Sequence, residues 1–546
     1  MSAFTKPPAK STAASAPAQT PQQIVSAIED FLAAHPRSLI YEDGTQLFDL
    51  HDARYTLSTE HDRCTIHLWS EEKNLVRRIV SFRPRKGSLS LATLRFGQTK
   101  PKTLELVSDP DRRTPSTREA TRTRYLPVIE RALKTHFPHW AIEPFHTAMD
   151  LEKSFGPAYA RGTMHQGQQA WAVVGVNAAE TVPTIDGVLT LGILWLQHCR
   201  DNAGGRRLFQ GVRLIVPPRM ATLTLQRMQW LRTDAAQWEL YELDEHAGTL
   251  EDRDPADTGN LVNRLPHAPN EAAANDRFAA AVAKFYELIP PEQRIHVEQR
   301  LRSSTHMTLS LHGLEFARIR MTVAANSFNR EVEIFVGAGP NETPLNDETA
   351  PQLSHAIERL FARRHVEGER NDPLYRAQPE RWLESSLRRN IAPLTSGTSS
   401  FAQFDADHVY SQVPAFASTD RGMIDLLTVT REGRLAVLEL KANEDMHFAL
   451  QALDYWIRVR WHHTQTVDAS TGLGAFQAHG FFSTLRLMPD PPLLYLVAPS
   501  LRIHPATEIV LRYLKHEVEW TTLGLTEHWR REMKVIFRKR SRGQQV

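Results

Sequence analysis

Asp425 and Glu439 each interrupt a run of apolar residues, and that pattern restricts the fold more than any other in the chain. Met423–Val429 and Leu435–Leu440 flank a polar turn, Thr430-Arg431-Glu432-Gly433-Arg434, which predicts a β-hairpin. A carboxylate inside an apolar strand is costly to bury unless a cation compensates it. Side chains alternate across a strand, which sets Val437, Glu439 and Lys441 on one face and Ala436, Leu438 and Leu440 on the other, against a core. The hairpin then brings Asp425 beside Glu439. Adjacent carboxylates repel each other and favour a hard divalent cation such as Mg²⁺, and Lys441 faces the same place. The plainer alternative for these three groups is a cross-strand salt bridge without chemistry.

A helix is predicted from Asp445 to Trp461, with Gln451 and Tyr455 four apart and so on one face. Upstream, Pro379-Glu380-Arg381-Trp382-Leu383-Glu384 opens another helix, with proline suited to its first turn. The segments GMIDLL, LAVLELK and QALDY resemble the PD-(D/E)XK nuclease superfamily, in its RecB-like and NucS-like branches. The resemblance implies a restriction-endonuclease-like αβββαβ core. It further implies that Asp425 and Glu439 bind Mg²⁺ or Mn²⁺, that Lys441 positions or activates the attacking water, that Gln451 and Tyr455 support the site, and that Glu384 completes it. The family's proline before the aspartate is absent here, since Ile424 stands in its place. Glu-x-Lys also occurs at Glu71–Lys73 and Glu532–Lys534, in polar surroundings without a paired aspartate hairpin.

At 546 residues the chain exceeds one core, and a multidomain α/β (α+β) protein is expected. Met1 to Gln23 is rich in Ser, Ala, Pro, Thr and Gln without the apolar centre of a signal peptide, so a disordered tail and a cytoplasmic protein are expected. No apolar run is long enough to cross a bilayer. Two cysteines, Cys64 and Cys199, exclude a disulfide framework and a four-cysteine metal site. A net charge of +2 is too mild to argue for nucleic acid, which requires local clusters.

Such clusters occur. The β-rich module expected over 24–107 carries Arg77, Arg78, Arg83, Arg85, Lys86, Arg95, Lys100 and Lys102 among Phe82 and Phe96, the mixture a phosphate-contacting surface uses; a solvated basic face is the alternative. Arg458 and Arg460 lie among Tyr455, Trp456 and Trp461 on the helix after the site. His462 and His463 are adjacent, diverge in direction and make a poor metal pair. The run Arg538 to Arg542 is basic as well.

A helix from Arg118 to His136 leads into a second α/β domain over 117–245. Subtracting 264 from Ala436–Glu444 (AVLELKANE) gives Ala172–Glu180 (AVVGVNAAE), identical at four of nine places. A helix, an apolar strand ending at proline, another helix and a last strand follow each segment, so an internal duplication is expected, against two unrelated α/β units. By subtraction Glu439 corresponds to Gly175, Lys441 to Asn177 and Asp425 to Arg161. The first copy then lacks every chemical group of the second, and the chain is an intramolecular pseudo-dimer with one live site. The remaining segments read as a connection over 246–275, a small α/β module over 276–365 and the nuclease-like domain over 371–546. The expected function is hydrolysis of nucleic acid, DNA before RNA; the alternative is a non-catalytic nucleic-acid-binding or assembly protein. No P-loop narrows the cellular role.

Overall fold

A computed structural model describes residues 19–541 apart from 36–37, 43–44, 51–52, 61–62, 70–73, 86–87, 95–100, 108–114, 151–154, 260–263, 269–270, 324–329, 338–341, 397–401, 417–420 and 469–472. The protein is a mixed α/β, multi-sheet chain that divides into two compact units, 1–115 with 337–343, and the remainder. No helix among the described residues is long and apolar enough to cross a membrane. Cys64 and Cys199 are free and buried, and burial pushes both thiols up, to about 11 and about 12.

The first unit is a seven-stranded antiparallel sheet covered by one helix, Pro21–Ala34. Thr20 and Gln23 form a reciprocal capping box at its start, so order begins inside the expected tail. Ile24, Ile28 and Leu32, one helical turn apart, pack on strand residues such as Ile66, Leu68 and Leu91. Alternation in Arg63–Trp69 buries Cys64, Ile66 and Leu68 on that face. The basic cluster is divided by the same alternation. Arg78 and Arg83 are exposed, but Arg77 is buried and donates to both carboxylate oxygens of Glu42 (2.7 and 3.1 Å), which removes it from any phosphate-binding face. Arg95, Phe96, Lys100, Lys86 and the Glu71–Lys73 motif lie outside the described residues, as does the side chain of Arg85.

In the larger unit, two six-stranded sheets repeat one plan. The first contains α1 (Pro115–His136), β1 (Ala141–Ile142), β2 (Tyr159–Gln166), β3 (Gln169–Val176), α2 (Val188–Asn202), β4 (Leu208–Val216), α3 (Thr222–Met228), β5 (Gln237–Asp244) and β6 (Thr249–Arg253). The second contains α4 (Pro379–Arg389), β7 (Tyr410–Phe416), β8 (Arg421–Val429), β9 (Leu435–Leu440), α5 (Phe448–His463), β10 (Leu493–Pro499), α6 (Pro505–Arg512), β11 (Trp520–Leu525) and β12 (Val535–Arg540). Strands pair in sequence order in both, antiparallel at the first two junctions, parallel at the next two and antiparallel at the last. The central parallel strands are buried on both faces, which explains their unbroken apolar runs.

Helices α2, α3, α5 and α6 share one apolar core between the sheets. At its centre Leu231 and Leu514 form an antiparallel bridge, where Arg232 N–H donates to Tyr513 O and Lys515 N–H donates to Trp230 O, both at 2.8 Å. That exchange is self-complementary, like the centre of a two-fold interface. Arg227 of α3 also clasps Asp454 of α5 with two hydrogen bonds (2.8 and 2.7 Å). Gly187 is confined there: a Cβ would lie 2.5 Å from the Tyr159 hydroxyl and 2.6 Å from His447 Cε1.

Two expectations need correction. The stretch 246–275 is not a bare connection, because β6 within it pairs with β5 and closes the first sheet. The subtraction by 264 is one residue out on β3. Val174 pairs with Leu214 three residues before Pro217, and Glu439 pairs with Leu496 three residues before Pro499. Hence Val174 and Val176 occupy the places of Glu439 and Lys441. Gly175 faces the other way, since its Cβ would strike Ile129 and Tyr125 of α1. A one-residue slip in a strand reverses the face of every side chain. Arg161 lies opposite Val174, as Asp425 lies opposite Glu439 one step beyond the Leu426–Leu438 pair.

The module over 276–365 has the helices Glu271–Tyr286 and Ala350–Arg363 around an antiparallel sheet, including a strand not anticipated, Val297–Ser303. That strand lies beside α4, where Glu298 meets Ser385, Arg388 and Arg389.

Candidate active site

The hairpin forms as its pattern demands. Leu426, Leu438 and Leu440 pack beneath α4, while Leu427, Val429 and Val437 pack beneath α5. Leu426 pairs with Leu438, and one further step of that register sets Asp425 opposite Glu439. There the ladder opens: the Leu440 N–H donates to Asp425 Oδ2 (2.9 Å) rather than to a strand carbonyl. Gln412, with a left-handed backbone (φ 53°), donates its amide to Asp425 Oδ1 (3.3 Å) and to Glu384 Oε2 (2.7 Å). A non-glycine residue in that conformation is strained and is held there by its surroundings.

Glu439 is almost fully buried. Its Oε1 lies 3.3 Å from Lys441 Nζ, and its Oε2 is buried without a hydrogen-bond partner. Lys441 also approaches Asp445 (3.6 Å). Burial raises the Asp425 carboxyl to about 6, with Glu384 and Glu380 adding to it and the Leu440 amide and Lys441 opposing. Burial and then Asp425 push Glu439 higher still. Burial alone would lower Lys441, but Glu439, Glu380, Asp445 and Asp425 outweigh it and keep the ammonium charged. The pair therefore titrates as a unit beside a fixed cation.

Tyr455 of α5 lies within electrostatic reach of Glu439 and Asp425, with Gln451 one turn before it. Gln451 Oε1 is buried without a partner. Burial raises the Tyr455 hydroxyl, with Glu439 and then Asp425 adding to it, so the phenol stays protonated. Glu384 is held by several donors. Arg300 of the small module (3.1 Å), Arg381 (3.0 Å) and Gln412 all donate to its carboxylate, and Arg300 donates also to the Ser411 carbonyl. Glu384 thus reaches Asp425 both by its charge and through Gln412. Glu380, one turn earlier, is the acid of α4 whose charge reaches Asp425, Glu439 and Lys441. Its spacing of four from Glu384 was the available signal; nothing in the sequence announced Gln412 or Arg300.

The predicted nucleic-acid contacts differ in exposure. Arg83 is exposed on the sheet of the first unit, whereas Arg458 is buried with its guanidinium 5.9 Å from the Tyr455 ring. Arg460, half-buried, packs on Trp230 (4.9 Å) and Trp456 (5.4 Å). His462 is buried and His463 bonds to the Met488 carbonyl. The Arg538 to Arg540 run is the last strand of the second sheet, where Lys539 pairs with Glu508 (2.5 Å).

No group of three His, Cys, Asp or Glu side chains with metal-site geometry occurs among the described residues. The donors nevertheless suit one hard cation: two neighbouring carboxylates, Glu439 buried and Asp425 half-buried, with Glu439 Oε2 buried and without a partner. Mg²⁺ is held by one or two carboxylates with waters completing its shell.

No family model matches the chain, and no curated protein matches it. Among solved structures, a chain of the "Structure of EndoMS-dsDNA2 complex" is similar at 11% identity, covering 40% of this chain and 93% of that one with a TM-score of 0.15, a likeness too slight to bear on fold or function.

Proposed function

We propose that the protein is a metal-dependent nuclease of the PD-(D/E)XK kind. The observation that carries this reading is the buried Glu439 carboxylate beside Asp425, with one oxygen on Lys441 and the other without a partner. Asp425 and Glu439 would hold Mg²⁺ or Mn²⁺, which when bound supplies Lewis acidity and lowers the pKa of a coordinated water. Lys441, held charged by its carboxylate neighbours, orients the attacking water and offsets negative charge growing on phosphorus. The Leu440 amide and Gln412 fix Asp425, and the clasp of Glu384 by Arg300 and Arg381 fixes Gln412. Tyr455 remains a protonated donor at the rim.

The reading extends to the first sheet as a degenerate copy of the same core. Its support is the shared strand order and direction, the self-complementary bridge at Leu231 and Leu514, and apolar or cationic residues where the second copy has Glu439, Lys441 and Asp425. The whole is then an internal pseudo-dimer with one chemically equipped half, acting on DNA before RNA. Exposed Arg83 belongs to this reading as a phosphate contact.

Labelled single- and double-stranded DNA and RNA, incubated with Mg²⁺, Mn²⁺ or EDTA, test it. Cleavage that requires metal and is lost in Glu439→Gln names the substrate. Cleavage that survives Glu439→Gln removes this site from the chemistry.

A further inference from the structure

A cavity of about 580 Å³ lies in the first half, lined among others by His146, Asp150, Phe155, Arg161, Trp195 and His198. It occupies the place that the carboxylates hold in the second half. Arg161 stands where Asp425 does. His146 bridges to Arg161 as Gln412 flanks Asp425. Trp195, eight residues after Gly187, matches Tyr455, eight after His447. The catalytic groups are gone, yet the site has been refurnished rather than filled.

The furnishing is cationic and aromatic. Arg161 is 1% exposed; its Nη atoms donate to the carbonyls of Gly156, Tyr159 and Ala148, and its buried Nε has no partner. No carboxylate among the described residues comes within ion-pair distance of it, and Asp150 is the acid that influences it electrostatically. The guanidinium lies 4.9 Å from the Phe155 ring and 5.9 Å from that of Trp195. His198 stacks on Trp195 (5.2 Å, 23°) and His146 meets it edge-on (5.6 Å). Burial, then Arg161 and His198, lower His146 and keep it a neutral ring.

A buried cation without an ion-pair partner attracts an anion, and a bank of rings receives a planar one. We infer that this cleft binds one nucleotide unit, its base against His146 and His198 over Trp195 and its phosphate toward Arg161. The unit is a free nucleotide or a residue of a strand, and the inference rests on the nuclease reading of the second half for why a nucleotide is present. The chain would then hold a strand in one half and cut it in the other.

The test is binding in EDTA, without cleavage, by fluorescence anisotropy of a labelled thymidine oligonucleotide and by calorimetry with thymidine monophosphate. His146→Ala combined with His198→Ala is expected to weaken the oligonucleotide about tenfold, the scale of one lost base stack. The single His146→Ala, at an exposed position, shows part of the same loss if the double variant folds poorly. If only the monophosphate loses affinity, the cleft serves free nucleotide; if neither ligand is weakened, the inference is overturned. Glu439→Gln separates the two proposals: it should bind like wild type while failing to cut. Should it cut normally, the nuclease assignment fails and a binding loss in the histidine variants still stands.

Discussion

The two halves of the larger unit share one strand plan and solve its central position in opposite ways. On β3, Val174 and Val176 complete the apolar face beneath α2. On β9, Glu439 and Lys441 occupy the equivalent places and leave a buried carboxylate oxygen without a partner. In the first half the architecture closes with valines at these two strand positions and a buried cation, Arg161, opposite the first of them. A buried ion pair is often neutral or unfavourable against apolar residues of similar volume, so under the proposed function the second half is where stability would be given up for chemistry.

The largest expected effect is on chemistry. Asp425→Asn, Glu439→Gln and Lys441→Ala should each lower metal-dependent cleavage by about 10³-fold or more, with the fold retained by circular dichroism. The contrasting change, Ala172→Glu, installs a carboxylate on the same apolar face of β3, between Thr163 and Val212 and away from Arg161. It should cost about 3–5 kcal/mol in denaturant unfolding, and an unchanged midpoint would erase the distinction between the halves.

A pH profile sharpens the contrast further. In metal-free protein the folded state holds the Asp425 proton more tightly than the unfolded chain does, at about 6 against an ordinary 3.8. The corresponding stability, roughly 3 kcal/mol, is fully present below the ordinary value and is lost as pH rises through 6. Glu439, raised further, extends that loss upward. Thermal unfolding in EDTA should show the slope in wild type and a reduced slope in Asp425→Asn. Smallest is the effect of the outer clasp. Arg300→Met removes one of the two arginines that hold Glu384 without touching the carboxylate pair, so kcat should fall about tenfold with KM little changed. A change confined to KM would instead place Arg300 against the substrate.

Much of this was legible in the sequence because burial leaves a period. The hairpin, its faces, both following helices and the six-element repeat are all written in apolar spacing. The slip on β3 arose because alanine and valine fit either face of a doubly buried strand, so identities at Ala172 and Val173 carried no phase. What positions Asp425 was hidden for another reason: Gln412 and Arg300 act from 13 and 125 residues away, through a bent backbone and a neighbouring module. The basic stretch misled because counting arginines does not reveal which ones, like Arg77, turn inward to an acid. Arg460 likewise lies where α5 meets the other half, on Trp230.

The most direct test of one equipped half beside one unequipped half is plasmid cleavage by protein verified as a monomer by light scattering. With Mg²⁺ or Mn²⁺, wild type should convert supercoiled circles to nicked circles ahead of any linear product, and Glu439→Gln should do neither. Linear product formed directly by the monomer, or nicking that persists in Glu439→Gln or EDTA, would contradict the account.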